Sequence, residues 1–152
     1  MKIMLEHDAI LPTRAHSTDA GLDLYSREDK MIPSRNMAMM GYEDTPIPAE
    51  IGVTFDTGVH IAFDPGTYGK IESKSGLNVK YSVVSCGGVI DEGYTGSITV
   101  KLYNMGNKPY RVRKGDKIAQ LVIMEYKTPK IELVSHLDET ERGDGAFGST
   151  GR

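Results

Sequence analysis

The chain has almost no cysteine: Cys86 stands alone. One thiol cannot build an intrachain disulfide framework, and its isolation fits a reducing compartment. Long apolar runs are missing as well, and none approaches the roughly 20 residues that cross a bilayer. The opening stretch carries Lys2, Glu6 and Asp8 where a secretory signal needs an unbroken apolar segment. The expectation is a cytoplasmic protein without a membrane partner. A surplus of charge is lacking too: the net charge is −3, which predicts no broad attraction to nucleic acid. An anionic ligand would have to be held by local groups. No long segment has helical periodicity, no internal repeat is visible, and 152 residues leave room for one domain.

What is present points to strands. The chain has 17 glycines and 7 prolines, which break long helices and favour short strands with tight turns. Val53 and Phe55, then Val59, Ile61 and Phe63, lie two apart on either side of Asp56-Thr57-Gly58. Ile98, Val100 and Leu102 alternate with Thr99, Lys101 and Tyr103. Ile118 to Met124 is nearly continuous and apolar, as in a strand covered on both faces. Turn residues punctuate these runs at Asp64-Pro65-Gly66, Asn104 to Asn107 and Lys114-Gly115-Asp116. One short helix is expected near residues 72–80. Residues 28–51 are irregular and read as a loop or arm. The pattern predicts an all-β sandwich or barrel over residues 1–140. A mobile glycine-rich arm is expected over 141–152.

Several stretches carry groups suited to an anionic ligand. In the tail, Arg142 offers a bidentate cation, Ser149 and Thr150 offer hydroxyls, and the glycines let backbone N–H groups approach closely. The Gly143 to Gly148 spacing matches a Walker A loop, but Ser149 stands where that loop needs lysine. Disorder is the plain alternative, against which Phe147 argues: a lone aromatic there suits packing on a nucleobase. Gly87, Gly88, Gly93 and Gly96 flank Asp91, Glu92 and Tyr94. That segment reads as a tight hairpin with backbone free to meet a ligand edge. Asp91 is either a general base or a turn-capping aspartate. Ser73-Lys74-Ser75-Gly76 is either an anion site at a helix start or an ordinary serine cap. Asp23 alternates with Leu22 and Leu24, so it is either inward and partnered, with a metal-bound water as one partner, or solvent-facing on an edge strand. His7, His16, His60 and His136 lack metal-ligand spacing and read as structural or surface residues. Cys86 reads as a small buried residue. Arg111 to Lys114 reads as a solvated strand end.

In order along the chain, these segments resemble the trimeric dUTPase family over nearly its full length. The matching stretches are Ala20-Gly21-Leu22-Asp23-Leu24-Tyr25, Ser73-Lys74-Ser75-Gly76-Leu77, Gly88 to Gly96, Lys114 to Gln120, and Arg142-Gly143 with Phe147-Gly148-Ser149-Thr150-Gly151. The resemblance implies a distorted β-barrel or jelly-roll-like fold with one short helix. It implies hydrolysis of dUTP to dUMP and pyrophosphate, with Mg²⁺ as cofactor and a homotrimer that shares its sites. Asp91 would activate water, and Tyr94 would pack on the deoxyribose. The backbone of Gly88, Val89 and Ile90 would read uracil. Lys74, Ser75, Gly76 and Gln120 would meet the phosphates. Arg142, Gly148, Ser149 and Thr150 would close on the outer phosphates, with Phe147 over the base. Asp23 would hold a water on the metal, whose direct ligands come from the triphosphate. Lys74 and Lys117 stand where the family usually has arginine, and Ser85 where many members have asparagine. The alternatives are a dCTP deaminase of the same fold, which attacks the base, and a regulator that uses residues 28–51 as its contact surface.

Overall fold

The computed structural model describes residues 1–36, 52–86 and 88–146. Among the described residues the chain runs through eleven named strands and one named helix. The strands are β1 (Lys2–Leu5), β2 (Gly21–Tyr25), β3 (Lys30–Ile32), β4 (Gly52–Asp56), β5 (Val59–Ala62) and β6 (Thr67–Ser73). After helix α1 (Ser75–Tyr81) come β7 (Val83–Ser85), β8 (Val89–Ile90), β9 (Thr99–Asn104), β10 (Tyr110–Val112) and β11 (Lys117–Glu125). All pairing between these strands is antiparallel. The largest sheet has the order β2-β11-β6-β8, and β4-β9-β7, β1-β5 and β10-β3 complete the set. The expected all-β, jelly-roll-like architecture is therefore present. Among the described residues the ladders do not close into a continuous barrel.

The alternation in β9 becomes one inward face of Val100, Leu102 and Asn104, preceded by buried Ile98. The inward Asn104 is satisfied locally. Its amide donates to the Lys108 carbonyl at 2.8 Å, and its Oδ1 accepts from the Gly106 N–H at 2.9 Å. The polar residue thus builds the turn that follows the strand. Phe55, Leu24, Ile32, Ile61, Ile118 and Leu121 fill the core around β9. Each such side chain contributes roughly 1.5–3 kcal/mol by leaving water. The runs on either side of Asp56-Thr57-Gly58 do not pair with each other: β4 lies on β9, and β5 lies on β1.

Four expectations need correcting. The apolar run of β11 is covered on both faces only over Ile118 and Ala119, and its far end is open, with Met124 40% exposed. Residues 30–32 form β3, held by β10, so the stretch 28–51 expected as a loop or arm contains a strand; residues 37–51 lie outside the described residues. Cys86 is exposed rather than buried, since it follows the last paired residue of β7. The helix starts at Ser75, and neither serine caps it: Lys74 is the N-cap, without a side-chain bond. No helix among the described residues is long and apolar enough to cross a membrane.

Candidate functional site

Two patches of expected site residues form at different points along β6. The first is built on Asp23. Its strand β2 lies beside β11 on one side and is bridged on the other, where the Asp23 N–H donates to the Thr13 carbonyl at 2.8 Å. Covered on both sides, Asp23 is 3% exposed, so it is not the solvent-facing residue of an edge strand. Its partners are lysines. Lys74 Nζ donates to Oδ1 at 2.5 Å, and Lys117 Nζ stands 2.6 Å from Oδ2. The Lys117 contact is an ion pair by distance, but Oδ2 has no aligned hydrogen-bond donor. Burial pushes the Asp23 carboxyl up, yet Lys117 and Lys74 more than offset it and hold it below the usual carboxylate range. The same contact raises Lys117.

Gln120 stands opposite Asp23 in the ladder, and its amide donates to the Ser73 carbonyl at 3.2 Å. Gly21 leaves it room, since a Cβ there would lie 2.5 Å from the Gln120 Oε1. Ser73 Oγ accepts from the Ser85 N–H at 2.9 Å and lies 3.1 Å from the Ser85 hydroxyl, tying β6 to β7. Ser75 is exposed on the first turn of α1, and Gly76 has open space where a side chain would be. Lys74, Ser75, Gly76, Gln120 and Asp23 are thus gathered at the end of β6. Lys117 joins them.

The second patch lies along the other half of β6. The expected hairpin over Gly87–Gly96 is not one. β8 pairs with β6, matching Ile90 to Gly69 and Val89 to Lys70, while the next strand, β9, belongs to a different sheet. The Ile71 N–H donates to the Gly88 carbonyl at 2.7 Å, extending the ladder by one residue. Gly88 sits at φ 135°, and a Cβ there would lie 2.5 Å from the Ile71 Cβ. Only glycine suits that place. Gly88→Ala is expected to lower the unfolding free energy by about 1–3 kcal/mol, the range for overpacking, in a urea titration.

After β8 comes a turn closed by the Tyr94 N–H donating to the Asp91 carbonyl at 3.0 Å. The backbone of Asp91, not its carboxylate, closes it, so the side-chain turn-cap reading fails. Tyr94 donates its hydroxyl to the Ser97 carbonyl at 3.0 Å and lies over Gly96, where a Cβ would not fit. Glu92 anchors the turn outside: its Oε2 accepts from Tyr126 Oη at 2.7 Å and from the Gly66 N–H at 2.8 Å. These bonds, that from Tyr126 foremost, lower the Glu92 carboxyl, and Glu92 raises the Tyr126 phenol. Asp91 itself is exposed. It lines an open hollow of about 460 Å³ with Tyr68, Val89, Glu92, Gly93 and Tyr126. Sequence reasoning missed Tyr68, Glu92 and Tyr126 as site residues. Only the β6–β11 register, which brings the two rings to 6.3 Å, unites them.

Of the tail, residues 141–146 are described. Arg142 Nε donates to the Gly145 carbonyl, three residues on and 3.0 Å away, across a turn at Gly143 (φ 52°). Phe147, Gly148, Ser149 and Thr150 lie outside the described residues. No group of three or more His, Cys, Asp or Glu among the described residues is placed to hold a metal directly. Among the described residues Asp23 Oδ2 is the one buried side-chain acceptor without a hydrogen-bond donor, and beside its ion pair with Lys117 it suits a water on a cation, not direct ligation.

A family model described as dUTPase matches residues 7–151. The chain is 41% identical to the deoxyuridine 5'-triphosphate nucleotidohydrolase of Rattus norvegicus over 99% of its own length, and it spans 66% of that relative. A dUTPase of Staphylococcus bacteriophage 80alpha, solved with dUpNHpp, superposes with a TM-score of 0.79 at 28% identity, over 99% of this chain and 98% of that one. A dUTPase from phage phi11 of S. aureus, solved with a structural Mg(II) ion, gives a TM-score of 0.72 at 25% identity, covering 89% and 96%.

Proposed function

The chain belongs to the dUTPase family, and on that premise we propose that it is a dUTP diphosphatase releasing dUMP and pyrophosphate. One observation carries the reading: an exposed carboxylate on a pinned turn, Asp91, shares β6 with a paired-lysine patch around buried Asp23. The first suits a base, the second suits phosphate. Asp91 orients a water and takes its proton as the water oxygen bonds to the α-phosphorus. The bond from phosphorus to the bridging oxygen breaks, and pyrophosphate leaves with that electron pair. Positioning and charge neutralisation supply most of the acceleration in such transfers.

The remaining roles follow the same premise. Tyr94 packs on the deoxyribose face and leaves no room for a 2′-hydroxyl. The Gly88 carbonyl is committed to Ile71, so uracil is read by the other backbone groups of Gly88, Val89 and Ile90. Lys74, Ser75, Gly76 and Gln120 contact phosphate oxygens. The arm over 141–152 closes with Arg142, Gly148, Ser149 and Thr150 on the outer phosphates and Phe147 over the base. Mg²⁺, when bound, neutralises charge on the triphosphate that ligates it. Asp23 Oδ2 would hold one of its waters.

We also propose a homotrimer with shared sites. Among the described residues the two patches on one chain do not make a closed pocket. The extended segment after β11 exposes Ile131 (91%), Leu133 (98%) and Leu137 (85%), an apolar row that a second copy of this chain would cover. In a cytoplasmic setting the reaction limits uracil incorporation into DNA and supplies dUMP for dTMP synthesis.

Pyrophosphate release with Mg²⁺ tests the proposal, with dUTP run beside dCTP, dTTP and UTP. Release from dUTP alone is expected. Ammonia release from dCTP would move the chain to base chemistry. Silence towards all four would favour a regulator of the same fold.

A further inference from the structure

The turn that carries Asp91 and Tyr94 is anchored on its far side by a histidine. His60, on β5, lies between two groups from different parts of the chain. Its Nδ1 is 2.8 Å from the Thr95 carbonyl, and its Nε2 is 2.9 Å from Glu6 Oε1. Both partners are acceptors, a carbonyl and a carboxylate. A neutral imidazole has one N–H and can satisfy only one of them; two acceptors require the imidazolium. The side chain is 17% exposed.

The charges around the ring are mixed. Glu6, following β1, faces it directly, and its own N–H is fixed by a 2.9 Å bond to the Gly58 carbonyl. Arg27 Nη1 holds Glu6 at 2.7 Å and Asp56, at the end of β4, at 2.6 Å. Asp56 in turn accepts from the Ser97 hydroxyl, two residues past Thr95. Lys2 lines the same shallow hollow as His60 and Thr95. The Thr95 carbonyl, then Glu6, raise the His60 pKa above the ordinary histidine value.

We propose that His60 is a positioning residue: as an imidazolium it bridges Glu6 to the Thr95 carbonyl, and loss of its proton loosens the turn holding Asp91 and Tyr94. The inference rests on the reading of Asp91 as the base. A raised folded pKa means the bridge is complete below the unfolded histidine value and fades as pH rises through the folded one. An alkaline fall in kcat follows, with little change in KM, because misplacing a base by about 1 Å costs up to roughly 100-fold in rate.

Two measurements on the full chain decide it. The first is a proton-detected NMR titration of the His60 ring. Both ring nitrogens should be protonated at neutral pH, with a midpoint above that of free histidine shared by the Thr95 and Gly96 amides. A ring that titrates as a free histidine, or amides that ignore it, overturns the proposal whatever the activity. The second is kcat and KM against pH for the wild type and His60→Gln, whose amide donates but does not titrate. The variant should lose about tenfold in kcat at neutral pH, keep KM, and lack the wild-type alkaline fall at the NMR midpoint. Superimposable profiles would overturn the proposal. If Asp91→Asn instead kept its turnover, the reading of the site would fall, and the NMR titration would still decide the bridge.

Discussion

Asp91→Asn is expected to remove turnover of dUTP while leaving the thermal midpoint where it is. A positioned base contributes about 10²–10⁴-fold, and that is the loss expected in kcat. The amide keeps the size of the side chain but cannot take a proton from water. Stability should hold because the carboxylate is exposed, and the turn is closed by its backbone carbonyl and by Glu92, Tyr94 and Thr95. Pyrophosphate release gives kcat, and calorimetric binding of a non-hydrolysable dUTP analogue separates affinity from chemistry. Near-normal turnover would take Asp91 out of its role. Lost binding together with lost turnover would make it a ligand contact instead.

The double variant Lys74→Met, Lys117→Met should be the most destabilising change at the site. Either lysine alone leaves Asp23 one partner; removing both leaves a carboxylate 3% exposed with none of its cations. Stranding a buried charge costs several kcal/mol, and about 3 kcal/mol is expected here, since Asp23 relieves part of it by taking up a proton. The pH dependence should reverse as well. In the wild type Asp23 is more acidic folded than unfolded, so its contribution is present above the unfolded carboxylate value and fades as pH falls through the folded one. Without the lysines burial alone acts and the folded value rises, so stability should fall as pH climbs towards neutral. Urea titrations from about pH 2 to about pH 8, which span the ordinary carboxylate value on both sides, would show both behaviours. An unchanged midpoint across that range would mean Asp23 reaches water when its partners go. Adding Asp23→Leu to the double variant should restore much of the stability.

The local character of the chain was readable from sequence, and its pairing was not. Alternation at Ile98, Val100 and Leu102 places one face inward whatever the strand lies against, so β9 was legible. Gly87 to Gly96 reads as a hairpin because glycines and an acidic pair suit a tight turn. The ladder instead sends β8 to β6, a register choice that depends on residues far away in the chain. Asp23 left two readings open for the same reason: alternation gives a face, but only the bridge from Thr13 shows that both sides are covered. Cys86 failed on a smaller scale, since a small apolar side chain carries no signal of where its strand stops pairing. The partners that shape the site, Tyr126 for Glu92 and His60 for Thr95, are each more than thirty residues from what they hold. No spacing rule reaches that far.

The Lys74–Asp23–Lys117 cluster also bears on how a polyanion reaches the protein. Its cations are already matched in part by an internal counter-ion, and the chain as a whole is −3. Such a cluster projects little field into solvent, so it cannot draw a nucleotide from a distance. On the proposed function, capture would instead depend on an exchange of partners at contact, with phosphate oxygens sharing the ammonium groups that Asp23 holds. Encounter rates should therefore depend only weakly on ionic strength, while the residence of the bound nucleotide carries the selectivity. On that function the protein would forgo long-range attraction for phosphate compounds in general and discriminate among ligands only after arrival.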